Sequence, residues 1–291
     1  MASRTVSRPV LRKRAVTALL YAALVLFAVW VLFPFWFLVN SSFMTPAEAV
    51  AVPPHWIPEE PTLGNYSAIL AGQVAPGGAQ VGLRVLTALG ESLAVGILTV
   101  VANLALGGTA AYSMSRYKYR GSRLSYFAVL FARLVPPIAI VAAFFVALRD
   151  LGLINSRYGL VVVYISFTLP ITILVLKNYF DGLPRELDEA ALVDGASRLQ
   201  ALWYVIRPIA RPGFIAAACL VFLESWGEFF YALTLTNQLT IPPVLAGFRG
   251  FFQFNWTTLA AATVLAVVPP VLLALVFQRY VVRGLAQGVA K

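Results

Sequence analysis

Long apolar runs dominate the chain and are separated by shorter polar connections. Several runs carry no charge over about 20 residues, the length that an α-helix needs to cross the roughly 30 Å core of a bilayer. They predict six membrane-spanning helices, at residues 17–39, 92–115, 124–148, 158–176, 213–235 and 257–277. A β-barrel would instead show short segments of alternating polarity. We therefore predict an all-α polytopic membrane protein.

Prolines lie inside several of the predicted spans, among them Pro136–Pro137, Pro170 and Pro269–Pro270. A proline frees a backbone carbonyl, which neighbouring helices must satisfy when the helix lies in lipid. The pattern therefore indicates a packed bundle rather than isolated spans.

The polar segments divide the rest of the chain into a basic arm, a core and a tail. The proline-rich stretch between the first two spans is predicted to be one long loop outside the membrane. The predicted parts are a cytoplasmic arm at 1–16, the first span at 17–39, the extracytoplasmic loop at 40–91, a core domain at 92–280 that contains a cytoplasmic loop at 181–213, and a cytoplasmic tail at 281–291.

Charge sets the expected orientation. Of the 22 Lys and Arg residues, seventeen fall in the two termini and in the loops on the same side as them, and four fall in the opposite loops. Because Lys and Arg are enriched on the cytoplasmic side, both termini are predicted to be cytoplasmic. The net charge of +10 is therefore assigned to topology and to anionic lipid rather than to nucleic acid.

Candidate chemistry is sparse. With one cysteine, Cys219, the chain cannot form an intrachain disulfide, and with one histidine, His55, it lacks the ligands of a His-based metal site. No metal or cofactor is predicted. The chain has no G-x-x-x-x-G-K-[ST] loop for nucleotide phosphates and no paired catalytic motif. We predict no catalytic residue and no ATP hydrolysis by this chain.

The cytoplasmic loop has the pattern of a helix, a glycine turn and a second helix. Acidic residues follow Pro184 in the first turn, where they complement the helix dipole. Gly195 is suited to the left-handed position that ends a helix. Ser197 and Gln200 have the spacing of a capping box at the start of the next helix. From this pattern alone, an amphipathic loop on the membrane surface and a docking element both remain open.

The same loop resembles the EAA loop of binding-protein-dependent ABC permeases. The resemblance is carried by Glu189-Ala190-Ala191, by Asp194-Gly195-Ala196 and by Ile206-Arg207-Pro208, all at the family's spacing. It implies a coupling helix that docks in a cleft of a separate ATPase subunit. The residues implied in this coupling are Glu189 as the charged contact, Ala190 and Ala191 as the close-packing face, Asp194, Gly195 as the turn, and Pro208.

The resemblance extends over nearly the whole chain and is closest to the carbohydrate-uptake branch, specifically the maltose-type second permease subunit. Pro61-Thr62-Leu63 with Asn65-Tyr66, and Trp226-Gly227-Glu228, resemble elements of that branch, although Gly227 stands where Asn is frequent. The implied partners are a second permease subunit, two ATPase subunits, an extracytoplasmic solute-binding protein and a sugar. The implied location is a bacterial or archaeal cytoplasmic membrane.

Charges inside the spans are the remaining candidates, because charge is expensive to bury in a membrane. Arg133 and Glu224 lie at comparable depth and are predicted to pair. Glu224 and Glu228 are one helical turn apart, where two carboxylates repel each other unless each is paired, neutral or hydrated. Candidates for a substrate path are Arg133, Glu224, Trp226, Glu228 and Tyr231. The alternatives are a structural ion pair and ordinary packing of the aromatic rings.

Three other functions compete with sugar import. A secondary transporter would show inverted repeats and broken helices around an ion site. A membrane enzyme would need clustered catalytic groups. An ABC permease for a non-sugar solute, such as glycerol phosphate or a polyamine, would carry the same EAA loop.

Overall fold

Helices form all of the regular secondary structure in the described part of the chain. The computed structural model describes residues 8–72, 81–117, 119–238, 240–248 and 256–289. In chain order the helices are α1 (Arg8–Ser42), α2 (Gly64–Leu70), α3 (Val81–Arg116), α4 (Ser122–Ala132), α5 (Pro137–Asp150), α6 (Arg157–Asp181), α7 (Glu186–Val193), α8 (Arg198–Ile209), α9 (Arg211–Gly227), α10 (Phe230–Leu235), α11 (Ile241–Ala246) and α12 (Trp256–Val289). The all-α prediction is confirmed.

Four of the described helices are long and apolar enough to cross a bilayer alone: α1, α3, α6 and α12. Two further pairs meet the same criterion only when joined. The α4–α5 pair is bent by 98° and the α8–α9 pair by 86°. The described residues therefore contain four to six candidate spans. The α8–α9 pair is not the predicted span at 213–235, which begins in α9 and continues into α10.

Two predicted spans are not continuous helices. The span predicted at 124–148 breaks between α4 and α5, where Pro136 has an extended backbone with ψ of 138°. A proline cannot donate the hydrogen bond that would continue the helix across this point. The span predicted at 213–235 breaks at Glu228, whose ψ of 128° separates α9 from α10. Both breaks lie beside the intramembrane charges.

Close packing of α3 against α6 forms the centre of the molecule. Gly107 allows this approach, since a Cβ atom added there would lie 2.6 Å from Cγ2 of Thr172. A buried polar network crosses the same interface. The Asn103 amide donates to Oγ1 of Thr168 at 2.9 Å, and the Thr172 hydroxyl donates to Oδ1 of Asn103 at 3.2 Å. Such interhelical bonds satisfy polar groups that would otherwise face hydrocarbon.

One carboxylate, that of Glu48, holds together the segment after α1, residues 43–62. Glu48 accepts hydrogen bonds from the backbone N–H groups of Thr45, Glu59 and Glu60, at 3.0, 2.7 and 3.2 Å. The bond from Thr45, with those from Glu59 and Glu60, lowers the pKa of Glu48 from 4.5 to about 2. The ionised carboxylate is therefore the form that holds the segment together.

We expect this segment to loosen in acid. A lowered pKa contributes stability that is fully present above pH 4.5 and is lost as the pH falls towards about 2. At pH 4.5 pepsin should therefore cut residues 43–62 more slowly in the unmodified protein than in Glu48→Gln, and this difference should disappear as the pH falls towards about 2. Glu48→Gln should be cut quickly already at pH 4.5. Glu60→Gln, which keeps the backbone contact, serves as the control, and equal cleavage of both variants would contradict the prediction.

Candidate functional site

The helix–turn–helix that the sequence predicts is present at α7 and α8. Gly195 has φ of +83°, the left-handed conformation that favours glycine. The Ser197 N–H donates to Oε1 of Gln200 at 2.7 Å, and the Gln200 N–H donates to Oγ of Ser197 at 3.4 Å. This reciprocal pair is the predicted capping box. The glycine turn and the start of α8 are thus confirmed.

Helix α7 presents two different faces. Glu189 and Ala190 are exposed, whereas Asp188 and Ala191 are buried, with 9% and 5% of their surfaces exposed. The two alanines of the triplet therefore differ in exposure and do not form one face for a partner. Ala191 therefore packs within this chain, and Ala190 is the alanine that a partner can reach.

An exposed surface surrounds the glycine turn. Its apolar members stand well out from the chain, since Val193 is 87% exposed, Leu199 59% and Tyr204 77%. We call this the turn surface, and it consists of Glu189, Ala190, Val193, Asp194, Gly195, Leu199, Tyr204 and Pro208. Exposed large apolar side chains beside a carboxylate are suited to docking another protein.

A buried ion pair fastens the inner face of α7 to the end of α3. Nε of Arg116 lies 2.7 Å from Oδ2 of Asp188, and the two side chains are only 6% and 12% exposed. The Tyr112 hydroxyl donates to the other carboxylate oxygen. Nη1 of Arg116 also donates to the Leu183 carbonyl at 3.3 Å. Sequence reasoning missed this pair, because it counted Arg116 only as a topology charge.

Apolar packing completes the attachment of α8. Leu202 and Ile206 are fully buried in a cluster with Phe180 of α6 and Phe214 of α9. The guanidinium of Arg198 lies 4.6 Å from the centre of the Tyr117 ring, and its hydrogen bond with Tyr117 raises the pKa of Arg198. The turn surface is therefore the outer side of a unit that is fixed to α3, α6 and α9.

Arg133 and Glu224 form the predicted pair. Nη2 of Arg133, in the break between α4 and α5, lies 2.7 Å from Oε1 of Glu224 on α9. The side chains are 36% and 29% exposed in this chain. The pairing prediction is confirmed, and the pair is only partly buried by this chain.

Glu228 lies one helical turn after Glu224 and has a different role. Its carboxylate accepts hydrogen bonds from the Tyr164 hydroxyl at 2.8 Å and from the N–H groups of Tyr231 and Ala232 at 2.8 and 3.1 Å. It therefore caps the start of α10 and joins α10 to α6. Separate partners for Glu224 and Glu228 resolve the repulsion expected from their spacing.

The two aromatic candidates lie in the interior. Trp226 is 7% exposed, stacks on Phe222 and donates from Nε1 to the Ala266 carbonyl at 3.2 Å. Tyr231 is 2% exposed and stacks on Phe167 with ring centres 5.8 Å apart. In this conformation both rings pack between helices. This is the ordinary aromatic packing that the sequence left open as the alternative to a substrate path.

The turn surface and the Arg133–Glu224 pair are suited to docking a partner and to pairing charges. Among the described residues, no group of three His, Cys, Asp or Glu side chains could hold a metal ion. The turn surface can dock a partner, and the α8–α9 bend connects it directly to the helix that carries Glu224.

Comparisons with known proteins show that the chain is similar to transport system permease proteins. Residues 103–287 match the family model described as "Binding-protein-dependent transport system inner membrane component". The chain is 36% identical over 240 residues to the trehalose transport system permease protein SugB of Mycobacterium tuberculosis, covering 81% of this chain and 84% of the relative. It is 34% identical over 234 residues to the trehalose/maltose transport system permease protein MalG of Thermococcus litoralis, covering 79% and 81%.

A solved structure shares the fold. It is a crystal structure of a bacterial ABC transporter involved in the import of the acidic polysaccharide alginate. The TM-score is 0.77 at 23% identity, and the match covers 96% of this chain and 99% of that chain.

Proposed function

The chain belongs to the family of binding-protein-dependent transport system inner membrane components, and from this membership we propose that it is a permease subunit of an ABC importer for a sugar. Relatives named for trehalose and for trehalose/maltose transport support the sugar class. The observation that carries the proposal is the turn surface, which faces outward while the residues behind it are fixed to membrane helices.

The proposed topology has six spans and both termini in the cytoplasm of a bacterial or archaeal cell. In it, α4–α5 and the α9–α10 segment each cross as one broken span. The seventeen Lys and Arg residues on one side support this orientation. It places the turn surface in the cytoplasm and the Glu48 segment outside, where a sugar-binding protein would dock.

In the proposed mechanism the turn surface docks on one of two ATPase subunits. Glu189 supplies the charged contact, and Ala190 and Gly195 let the partner backbone approach closely. A docked element transmits movement only if it does not bend, and the Asp188–Arg116 pair with the Leu202 and Ile206 packing supplies that stiffness. ATP hydrolysis takes place on the partner subunits.

Movement of α8 would reach the membrane through α9. The two helices meet at Ala210, and α9 carries Glu224 about 20 Å further along, at roughly 1.5 Å per residue. The Arg133–Glu224 pair is part-exposed and is proposed to face the sugar path, which a second permease subunit would complete. A charged pair of this kind can exchange its mutual hydrogen bond for sugar hydroxyls.

The experiment is to purify this chain with its partner subunits and to measure ATP hydrolysis in lipid vesicles. We expect the binding protein loaded with trehalose or maltose to stimulate hydrolysis. Glu189→Lys should reduce this stimulation by roughly tenfold or more, because reversing a docked charge leaves its partner unpaired. Glu186→Lys makes the same change at another exposed position of α7 and should retain most of the stimulation.

Two results would contradict the proposal. Failure of any ATPase subunit to co-purify in mild detergent would favour a stand-alone membrane protein. Stimulation by a glycerol phosphate or a polyamine, with none by sugars, would keep the importer and change its substrate class.

A further inference from the structure

A groove on the surface of the bundle adjoins the turn surface and shares Pro208 with it. Its volume is about 590 Å³, and it lies between the second half of α3 and the junction of α8 and α9. The α3 side contributes Val101 and Ala105, and the α9 side contributes Phe214. Apart from its rim, the lining is apolar.

Both charged residues of the groove are arginines at its rim. Arg207 and Arg211 are exposed, and neither forms an ion pair with any described residue. The guanidinium of Arg207 lies 5.0 Å from the ring centre of Trp203, which also lines the groove. Two unpaired guanidinium groups beside a tryptophan are complementary to a phosphate at a membrane interface.

The depth of the groove fits a lipid. Ala105 and Val101 lie roughly 16–23 Å from the end of α3 at Arg116, at about 1.5 Å per residue. Phe214, three residues after Arg211, lies against Gly108 of α3, so the apolar lining extends about 10 Å along α3 from that contact to Val101. A water-filled sugar path would need polar lining, whereas an acyl chain needs only apolar contact.

We propose that this groove binds an anionic phospholipid, with its phosphate on Arg207 and Arg211 and one acyl chain along Val101, Ala105 and Phe214. The inference rests on the proposed function in one respect, which is the cytoplasmic placement of α8. Anionic lipids are enriched in the cytoplasmic leaflet, and basic pockets between helices on that side bind their headgroups. Because α8 carries the turn surface, the bound lipid would brace the coupling element against the membrane.

The test measures lipid retention by native mass spectrometry of the assembled transporter, without nucleotide or sugar. The probes are dioleoyl phosphatidylglycerol and dioleoyl phosphatidylcholine. We expect the unmodified transporter to retain phosphatidylglycerol selectively. The Arg207→Gln/Arg211→Gln double variant should bind it roughly thirtyfold more weakly, about 1 kcal/mol for each arginine.

Arg120→Gln/Arg123→Gln is the matched control. It removes two exposed positive charges on the same side of the membrane and outside the groove, so its retention should stay within about threefold of the unmodified protein. Ala105→Phe fills the apolar lining while both arginines remain, and it should also release the lipid. This variant keeps the proposal testable if the double variant does not fold.

Several outcomes would overturn the proposal. The first two are equal retention of the two lipids by the unmodified transporter and equal loss of phosphatidylglycerol in the Arg207/Arg211 and Arg120/Arg123 double variants. The third is displacement of phosphatidylglycerol by millimolar inorganic phosphate. The fourth is lipid retention by the isolated chain that disappears when the transporter assembles. The last would mean that the second permease subunit covers the groove. If no ATPase subunit associates, the same comparison on the isolated chain still tests the lipid site separately from the importer.

Discussion

Replacing Asp188 by alanine is expected to detach the turn surface from the membrane helices. The substitution leaves Arg116 buried, with 6% of its side chain exposed and no carboxylate beside it. Removing one partner of a buried ion pair destabilises a protein by about 3–5 kcal/mol. Hydrogen exchange of the α7 and α8 amides, together with the melting temperature of the purified transporter, measures this loss.

Neighbouring residues provide the controls. Glu189→Ala changes a carboxylate on the exposed face of the same helix and should alter stability by no more than about 0.5 kcal/mol. Asp188→Leu combined with Arg116→Met removes both charges and should regain most of the stability, because an apolar pair of similar volume often replaces a buried ion pair well. Equal exchange rates in Asp188→Ala and Glu189→Ala would show that the pair does not hold α7.

The second large effect is expected at Glu228, and it is structural. Alanine there leaves the Tyr164 hydroxyl and the N–H groups of Tyr231 and Ala232 without their acceptor. A lost helix cap costs about 0.5–2 kcal/mol, and an unsatisfied buried hydroxyl costs about 1–3 kcal/mol. We therefore expect Glu228→Ala to lower the free energy of unfolding by about 2–4 kcal/mol, read from thermal melting in detergent.

Comparison with Glu224 separates stability from transport. Glu228→Gln keeps one acceptor oxygen and should recover part of the lost stability. Glu224→Ala removes a part-exposed pair and should change sugar uptake more than the melting temperature. If Glu228→Ala melts like the unmodified protein but needs more sugar for half-maximal uptake, Glu228 contacts the substrate, as the sequence alone had suggested.

Local signals explain what could be predicted of the site. Gly195 and the Ser197–Gln200 capping box involve residues within a few positions of each other, so their geometry follows from spacing. The Arg133–Glu224 pair was predictable because depth in a bilayer depends only on position along a span, and two opposite charges at one depth have few other partners in lipid.

The contacts that sequence reasoning missed depend on how each helix is rotated and on which helices meet. Asp188 and Glu189 look equivalent in the sequence, and only packing of α7 on α3 and α8 decides which is buried. The hydropathy of the sequence around Trp226 is the same whether its ring faces lipid, water or α12. The bend at Pro136 was predictable as an interruption, but its 98° angle depends on tertiary contacts.

The Asp188 pair also constrains how the chain is made. Asp188 follows its partner Tyr112 by 76 residues. At synthesis rates of about 5–20 residues per second, roughly 4–15 s pass between the appearance of the two positions. During that interval α4, α5 and α6 are synthesised, and in the proposed topology they enter the membrane while Arg116 stays hydrated at its surface. The docking element is therefore completed only after most of the bundle is inserted, so an ATPase subunit that recognises it would bind nearly finished chains and bypass nascent ones.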